Sequence, residues 1–280
     1  MIHHFLSVML LATVAAFFIS PVTMYAQQSP NDTRKIIAET QKAAELGDVQ
    51  AQNGLGRMYL KGEGVPKDAV QAAKWFHKAA AQGDAVAQSI LGVMYHTGEG
   101  VRKDHQKALE LYKKSAAQGN AVAQCALGDM FRTGGEGIPK DNQQAVYWYQ
   151  KAAEQGVALA QFCLGLAYHS GKGIQRDVRK AAEWYQKAAE QGVPMAQFAL
   201  ADMHIKGEGV QKDVHNAVVW LQKAADQGDA PALHRLGLFV YSGTGGMPHD
   251  PQKGCGLIRK AAEQRDQDAI NSYNRFCQPR

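Results

Sequence analysis

The sequence lacks the motifs that mark most enzymes and nucleic-acid-binding proteins. It contains no H-E-x-x-H or G-x-S-x-G, and none of its eight serines is followed by a lysine three residues later. Its ten histidines do not have the spacing of metal ligands. The formal net charge is +5, yet no arginine-rich block or basic-aromatic alternation occurs. These absences argue against a catalytic function, a bound metal ion, a bound cofactor and a nucleic-acid partner.

The one extended hydrophobic run is too short to span a bilayer comfortably. Residues 1–26 contain no Asp, Glu, Lys or Arg, and their apolar run extends from Phe5 to Ile19. A spanning helix needs roughly 20 apolar residues. The segment is typical of a secretory signal peptide cleaved near Ala26, with an uncleaved membrane anchor as the alternative. We therefore expect an exported protein, periplasmic or secreted, without stable membrane insertion after leader removal.

The dominant feature of the sequence is self-similarity. The motif K-A-A-x-x-G-D occurs at 42–48 and 78–84, and variants of it recur at steps of 36 or 37 residues. A second motif, A-x-x-x-L-G, lies between these marks and is followed by Gly-Glu-Gly or a variant of it. A fixed period of this length indicates six copies of one supersecondary unit.

Each copy predicts two helices separated by a glycine loop. In the first helix, Ala87, Leu91 and Met94 fall on one face. In the second, Trp75 and Phe76 belong to one apolar stripe. An aspartate follows each loop at the N-cap position of the second helix. These aspartates are Asp68, Asp104, Asp141, Asp177, Asp213 and Asp250. Helices this short are marginal alone, so successive pairs must stack.

The pattern shared by the copies is A-x-x-x-L-G-x-M-Y-x-x-G-E-G-V-x-K-D-x-x-x-A-x-x-W-x-x-K-A-A-x-Q-G-D. It resembles the Sel-one-like repeat (SLR) family, relatives of tetratricopeptide repeats, and the resemblance covers about residues 31–277. The resemblance implies an all-α fold, a right-handed α/α solenoid of six helix pairs with a capping half-repeat at each end. We expect a signal peptide at 1–26, an N-terminal capping helix at 27–48, six repeats at 49–266, and a C-terminal capping helix and tail at 267–280.

The resemblance also implies a function. Relatives serve as scaffolds in envelope assembly, signalling regulation and host-cell interaction, so we expect a non-catalytic adaptor. Its partner would be a protein or peptide held in a groove lined by the first helices. Some cysteine-rich relatives bind or slowly hydrolyse β-lactams, which leaves a weak hydrolase or binder of β-lactams or cell-wall peptides as the alternative. A cytoplasmic co-chaperone is a third possibility if residues 1–26 are not a leader.

Two of the four cysteines are expected to form a disulfide. Cys255 and Cys277 lie eleven residues on either side of Asp266, at mirror positions of the last helical hairpin. Some exported relatives are cross-linked between the same two helices at a C-x7-C spacing, four residues either side of the turn. The difference of seven residues is two helical turns, so the facing side is the same. Two free thiols are the alternative.

We expect the other two cysteines, Cys125 and Cys163, to be small core residues.

The sixth copy departs most from the repeat. Gly245, Gly246 and Met247 replace Gly-Glu-Gly there. Gly254 and Gly256 are expected to weaken its second helix by about 1 kcal/mol each. The disulfide would offset that loss by roughly 3 kcal/mol.

One face of the first helices, which we call the variable stripe, does not recur between copies. Its three positions, at offsets 0, +4 and +7, share a helical face. We expect it to bind the partner, with a merely tolerant solvated face as the alternative. The candidate partner-binding residues are Asn53, Arg57, Ser89, His96, Asp129, Arg132, Phe162, Leu166, His169, Phe198, Asp202, His234, Leu238 and Tyr241. The members expected to form an exposed apolar patch are Phe162, Leu166, Phe198 and Leu238, rimmed by Asp202, His169 and His234.

Overall fold

The computed structural model describes residues 30–278, and in this range the chain forms α-helices and no β-strand. The helices are α1 (Pro30–Glu45), α2 (Val49–Lys61), α3 (Ala69–Ala81), α4 (Ala85–Thr97), α5 (His105–Ala117), α6 (Ala121–Thr133), α7 (Asn142–Glu154), α8 (Ala158–Ser170), α9 (Val178–Glu190), α10 (Pro194–Lys206), α11 (Val214–Asp226), α12 (Ala230–Ser242), α13 (Pro251–Glu263) and α14 (Gln267–Phe276). None of these helices is long and apolar enough to cross a membrane. The predicted signal peptide, residues 1–26, lies outside the described residues.

The helices group into two compact units, each of which we describe by itself. Unit 1 ends at Gln155 and contains α1 to α7, and unit 2 begins at Gly156 and contains α8 to α14. Within each unit a helix packs chiefly against the helices that precede and follow it in the chain. The first helices of the pairs are α2, α4 and α6 in unit 1, and α8, α10, α12 and the capping helix α14 in unit 2. This consecutive packing of helix pairs confirms the predicted all-α solenoid fold.

Most of the first helices begin at a short polar cap and end at a glycine. In α2 the Asp48 carboxylate accepts a hydrogen bond from the Ala51 amide at 2.7 Å. The helix ends at Gly62, whose φ of +78° is strained for any residue with a side chain. Val157 and Val193 precede α8 and α10 and supply no side-chain cap. The capping of first helices is therefore less regular than that of second helices.

The N-caps predicted for the second helices are confirmed. The Asp68 carboxylate, for example, accepts hydrogen bonds from the Val70 and Gln71 amides at 2.9 and 3.0 Å. The aspartates that accept backbone bonds in this way are Asp68, Asp104, Asp141, Asp177, Asp213 and Asp250. Each satisfies amides of the first helical turn that would otherwise have no partner.

A glycine in each of several first helices allows a large side chain of the second helix to approach its backbone. An added Cβ at Gly56 would lie 2.8 Å from Phe76 Cε1, and one at Gly92 would lie 2.7 Å from Tyr112 Cε1. Both rings are almost completely buried, so they have little room to move. The recurring Leu-Gly pair in the sequence is therefore a packing requirement.

Two glycines in α2 are expected to respond to alanine in opposite directions. Gly56→Ala forces a methyl group against the Phe76 ring and should destabilise unit 1 by about 2 kcal/mol. At Gly54 the nearest atom to an added Cβ is Thr40 Cγ2 at 3.9 Å. Gly54→Ala should therefore stabilise the helix by about 0.5–1 kcal/mol. Urea unfolding followed by circular dichroism measures both changes, and shifts of the same sign would contradict this account of the ring contact.

A row of hydrogen-bonded glutamines joins the pairs within each unit, and we call it the glutamine seam. Gln52 of α2 is 3% exposed, and its Nε2 donates to the Ala44 carbonyl of α1 at 3.0 Å. Its Oε1 accepts from Gln82 Nε2, just after α3, at 2.9 Å. Gln82 Nε2 also donates to the Gly47 carbonyl at 3.1 Å. The equivalent bonds, of 2.7–3.0 Å, are Gln118 to Gln88, Gln155 to Gln124, Gln191 to Gln161 and Gln227 to Gln197. One buried amide thus links three successive helices.

The last helix pair is held by a close backbone contact and by a disulfide. An added Cβ at Gly254 would lie 2.6 Å from the Tyr241 amide nitrogen, whereas nothing lies within 4 Å of Gly256. Gly254 therefore permits the close approach of α12 and α13, a role beyond the expected weakening of the helix. The predicted disulfide between Cys255 and Cys277 is confirmed, with Cα atoms 5.5 Å apart, and it ties α13 to the end of α14.

The other two cysteines take no part in the disulfide. Cys125 lies in α6 and Cys163 in α8, and both are buried. Their exposed fractions are 1% and 5%, as expected for small core residues.

Candidate functional site

The variable stripe is divided between the two units. The candidates in unit 1 are Asn53, Arg57, Ser89, His96, Asp129 and Arg132. The candidates in unit 2 are Phe162, Leu166, His169, Phe198, Asp202, His234, Leu238 and Tyr241. The two groups differ in how far they are open to a ligand.

In unit 1 much of the stripe is buried. Asn53 is 5% exposed, Ser89 1% and Asp129 8%. Val93, a neighbouring stripe position in α4, packs in one core cluster with residues of α6 such as Ala123. The structure thus corrects the expectation that this face is free of packing. Neighbouring helices cover it: Val93 packs with the next first helix, α6, and Asp129 is bonded by Tyr149 of the second helix α7.

An internal polar network holds two of the unit 1 candidates. Arg132 Nε donates to Asp129 Oδ1 and to the Tyr149 hydroxyl, both at 3.1 Å, and Arg132 Nη2 pairs with the same carboxylate. The Tyr149 hydroxyl donates to Asp129 Oδ1 at 3.4 Å. Burial lowers the pKa of Arg132, but Tyr149 and Asp129 raise it above its ordinary value. The guanidinium stays charged, and the network serves packing.

Some buried polar atoms of the unit 1 stripe have no hydrogen-bond partner among residues 30–278. They are Asn53 Oδ1, Ser89 Oγ and His96 Nδ1. Burial lowers the pKa of His96, and so does His105, whose ring centroid lies 5.0 Å away. An unpaired buried polar group lowers stability by about 1–3 kcal/mol. This part of the stripe is therefore not optimised for stability alone.

In unit 2 the structure corrects the expected exposure of Phe162. That side chain is 5% exposed, and its ring centroid lies 5.7 Å from that of Tyr185 in α9. His169 Nε2 faces Glu208 Oε2 at 3.5 Å, which directs it toward the loop after α10. Leu166 is half-buried. The expected apolar patch is consequently smaller than the sequence suggested.

Three other stripe residues of unit 2 converge on one pocket. Phe198 of α10 and His234 and Leu238 of α12 line a pocket of about 490 Å³. All three are half-buried. The remaining lining residues are Pro231, Arg235, Asp266, Asp268, Asn271 and Ser272. We call this the α10–α12–α14 pocket, and it joins an apolar wall to a polar one.

The polar wall of the pocket comes mainly from the capping helix α14. His234 Nε2 lies 2.8 Å from Ser272 Oγ. Burial lowers the pKa of His234, although Asp266 and Asp268 act in the opposite direction. Sequence reasoning assigned α14 only a capping role and so missed this wall. Asn271 could have revealed it, because its position in α14 is equivalent to offset 0 of the variable stripe.

Several stripe side chains of unit 2 contact the following first helix. Arg235 Nη2 lies 3.8 Å from Asp202 Oδ1, which links α12 to α10. The further pairs are His234 with Ser272, and Tyr241 with Phe276 at 5.6 Å between ring centroids. Residues of the stripe thus differ from copy to copy partly because each must fit its own neighbour. The α10–α12–α14 pocket is the space that these contacts do not fill.

A second pocket lies outside the stripe. It has a volume of about 750 Å³ and lies in unit 1, where the loop before α5 and the start of α5 meet Tyr95, Glu136 and Gly137. It contains no candidate partner-binding residue. Among residues 30–278, no group of three His, Cys, Asp or Glu side chains is arranged to hold a metal ion.

Comparison with protein families identifies the repeat. The family model described as "Sel1 repeat" matches six consecutive segments, at residues 49–84, 85–120, 121–157, 158–193, 194–229 and 230–266. No curated protein matches the chain.

Two solved structures are similar to the chain over most of its length. One is a protective antigen of uropathogenic Escherichia coli displaying an SLR fold, which is 38% identical with a TM-score of 0.76. That match covers 84% of this chain and 50% of the antigen, so the chain spans half the antigen's length. The other is a Sel1 repeat protein from Oxalobacter formigenes, 33% identical with a TM-score of 0.71, where the match covers 89% of this chain and 93% of that one.

Proposed function

The chain belongs to the Sel1 repeat family, and on that basis we propose a non-catalytic scaffold that binds a peptide or protein segment in the α10–α12–α14 pocket. Proteins with this repeat commonly mediate protein interactions and are generally non-catalytic. The observation that carries the proposal is the convergence of Phe198, His234 and Leu238 on one pocket.

The composition of the pocket suits a peptide. Phe198 and Leu238 are half-buried, so each has apolar surface that a partner side chain can cover. Polar groups of α12 and α14 surround them, as in recognition sites where an apolar centre supplies affinity and a polar rim supplies selectivity. The volume of about 490 Å³ falls within the range of about 300–1,000 Å³ that is typical of ligand sites.

We propose that the scaffold works outside the cytoplasm, in the bacterial periplasm or the secreted space. The charge-free apolar segment at residues 1–26 supports export. The disulfide between Cys255 and Cys277 supports an oxidising compartment, because such bonds are rare in the cytosol.

A peptide screen tests the pocket. A random dodecapeptide phage library is selected on the purified protein, and enriched peptides are assayed against the Phe198→Ala/Leu238→Ala variant. Loss of two apolar anchors should weaken binding at least tenfold. Helicity should be unchanged, because neither side chain belongs to the fully buried core.

The matched control changes two apolar side chains outside the pocket. Tyr147 is 51% exposed and Val219 is 42% exposed, and both lie on second helices. Tyr147→Ala/Val219→Ala should leave binding unchanged. Equal binding by the pocket variant and the wild type, or no enrichment over an empty support, would count against the proposed function.

A further inference from the structure

We infer that the α10–α12–α14 pocket selects a peptide segment in which a lysine or arginine lies next to an apolar side chain. This inference rests on the proposed function and specifies the chemistry of the ligand. The pocket offers two unlike surfaces, an apolar one from Phe198 and Leu238 and an acidic one from Asp266 and Asp268.

The acidic surface is formed where two helices begin. Asp266 caps α14 by accepting from the Ala269 amide at 2.8 Å, and Asp268 lies in the first turn of the same helix. Asp229 caps α12, and its pKa is raised by burial and also by the nearby Asp266 carboxylate. The Asp229 and Asp266 carboxylates thus oppose each other's charge, and Asp266 and Asp268 both line the pocket where an incoming cation would lie.

One cation, Arg235, lines the pocket together with the two aspartates, but its guanidinium pairs with Asp202 and with neither of them. The Arg235 guanidinium lies 3.8 Å from Asp202, a carboxylate that also pairs with Lys206. Burial lowers the pKa of His234, which favours the neutral ring that bonds Ser272. Within residues 30–278 the Asp268 side chain is exposed and forms no ion pair. The Asp268 carboxylate is therefore available to a ligand.

The geometry favours a bifunctional ligand over a purely apolar one. Phe198 and Leu238 belong to α10 and α12, whereas the two aspartates belong to the start of α14, so the pocket's apolar and acidic walls come from different helices. A basic side chain with an aliphatic or aromatic neighbour satisfies both walls at once. Lysine and arginine also carry apolar stems that can lie along the Leu238 side.

The net charge of the chain favours the opposite kind of ligand. The protein has a formal charge of +5, so long-range electrostatics favour an acidic ligand. A preference for a basic peptide can arise only from local groups. The rival account is that Asp266 and Asp268 serve α14 alone, by capping it and complementing its dipole.

The test uses three fluorescein-labelled peptides that differ at one residue. Their sequences are Gly-Leu-Lys-Leu-Gly, Gly-Leu-norleucine-Leu-Gly and Gly-Leu-Glu-Leu-Gly, each with an amidated carboxyl terminus. Fluorescence anisotropy at low salt measures their affinities for the full-length protein. We expect the lysine peptide to bind about fivefold more tightly than the norleucine peptide, and the glutamate peptide to bind most weakly.

Asp268→Asn is the informative variant, since it keeps the side-chain shape and leaves the Asp266 cap intact. It should reduce the affinity for the lysine peptide to that for the norleucine peptide. Asp226→Asn is the matched control, because it makes the same charge change at an exposed residue at the end of α11. This control should preserve the lysine preference.

The outcomes separate the inference from the proposed function. If lysine and norleucine peptides bind equally to the wild type and both are lost in Phe198→Ala/Leu238→Ala, the preference for a cation is refuted and the peptide pocket stands. Tighter binding of the glutamate peptide also refutes the inference. If no peptide binds the wild type, the inference fails, and the phage selection decides the proposed function independently.

Discussion

Replacing Asp129 by alanine is expected to destabilise unit 1 by about 3 kcal/mol. The substitution leaves the Arg132 guanidinium, whose side chain is only 21% exposed, without its carboxylate partner. It also removes an acceptor from the Tyr149 hydroxyl. A charge that has lost its carboxylate partner in a largely buried position is far less stable than one that keeps it. Urea unfolding, with hydrogen exchange of the α6 amides, measures the loss.

A double variant separates the unpaired charge from the lost packing. Asp129→Leu/Arg132→Met replaces the pair with apolar groups, and it should lose less than half as much stability as Asp129→Ala. Asp129→Asn should fall between the two, since the amide oxygen can still accept a hydrogen bond. Equal losses in the single and the double variant would mean that the ion pair does not hold unit 1 together.

Removing the Cys255–Cys277 disulfide is expected to destabilise the end of unit 2 by about 3 kcal/mol, because the bond closes a loop with a sequence separation of 22 residues. In a repeat stack the loss should stay local, since each helix pair depends mainly on its neighbours. Amides of α14 should therefore exchange about a hundredfold faster in Cys255→Ser/Cys277→Ser. Hydrogen exchange resolved by segment measures this.

Reduction of the wild type supplies the matched control. Dithiothreitol should reproduce the behaviour of the serine variant in the wild type, and it should have no further effect on the variant itself. Because α14 supplies Asp266 and Asp268, binding of the lysine peptide should weaken in parallel. Unchanged protection of α14 after reduction would show that the helix is held by packing alone.

The fold could be predicted almost completely from the sequence. The period of 36 residues, the N-cap aspartates and the glycine loops are local signals, and each of them corresponds to a local structure. The glutamine seam was not predicted. Its signal was present, since Gln52 and Gln82 recur with the repeat. Their pairing could not be found, because they are thirty residues apart and meet only once three helices have packed.

The candidate site was predicted only in part, and the reason is physical. Helical periodicity identifies a shared face, but it does not identify the neighbour that covers that face. The spacing of the variable stripe predicts one shared face, yet Ser89 and Phe162 on that face are buried. Phe198, His234 and Leu238 do converge on a pocket. The wall from α14 depends on tertiary packing that no single repeat displays.

The glutamine seam also bears on how such a protein changes over evolutionary time. Five joints of the seam use the same pair of amides. Unequal recombination that gains or loses a segment such as 85–120 would therefore leave compatible joints on both sides. Stripe contacts such as Asp202 with Arg235 are particular to one junction, and insertion of a copy at that junction would break them. A change in copy number would therefore keep the amide joints, whereas a change in the order of the copies would break such side-chain contacts.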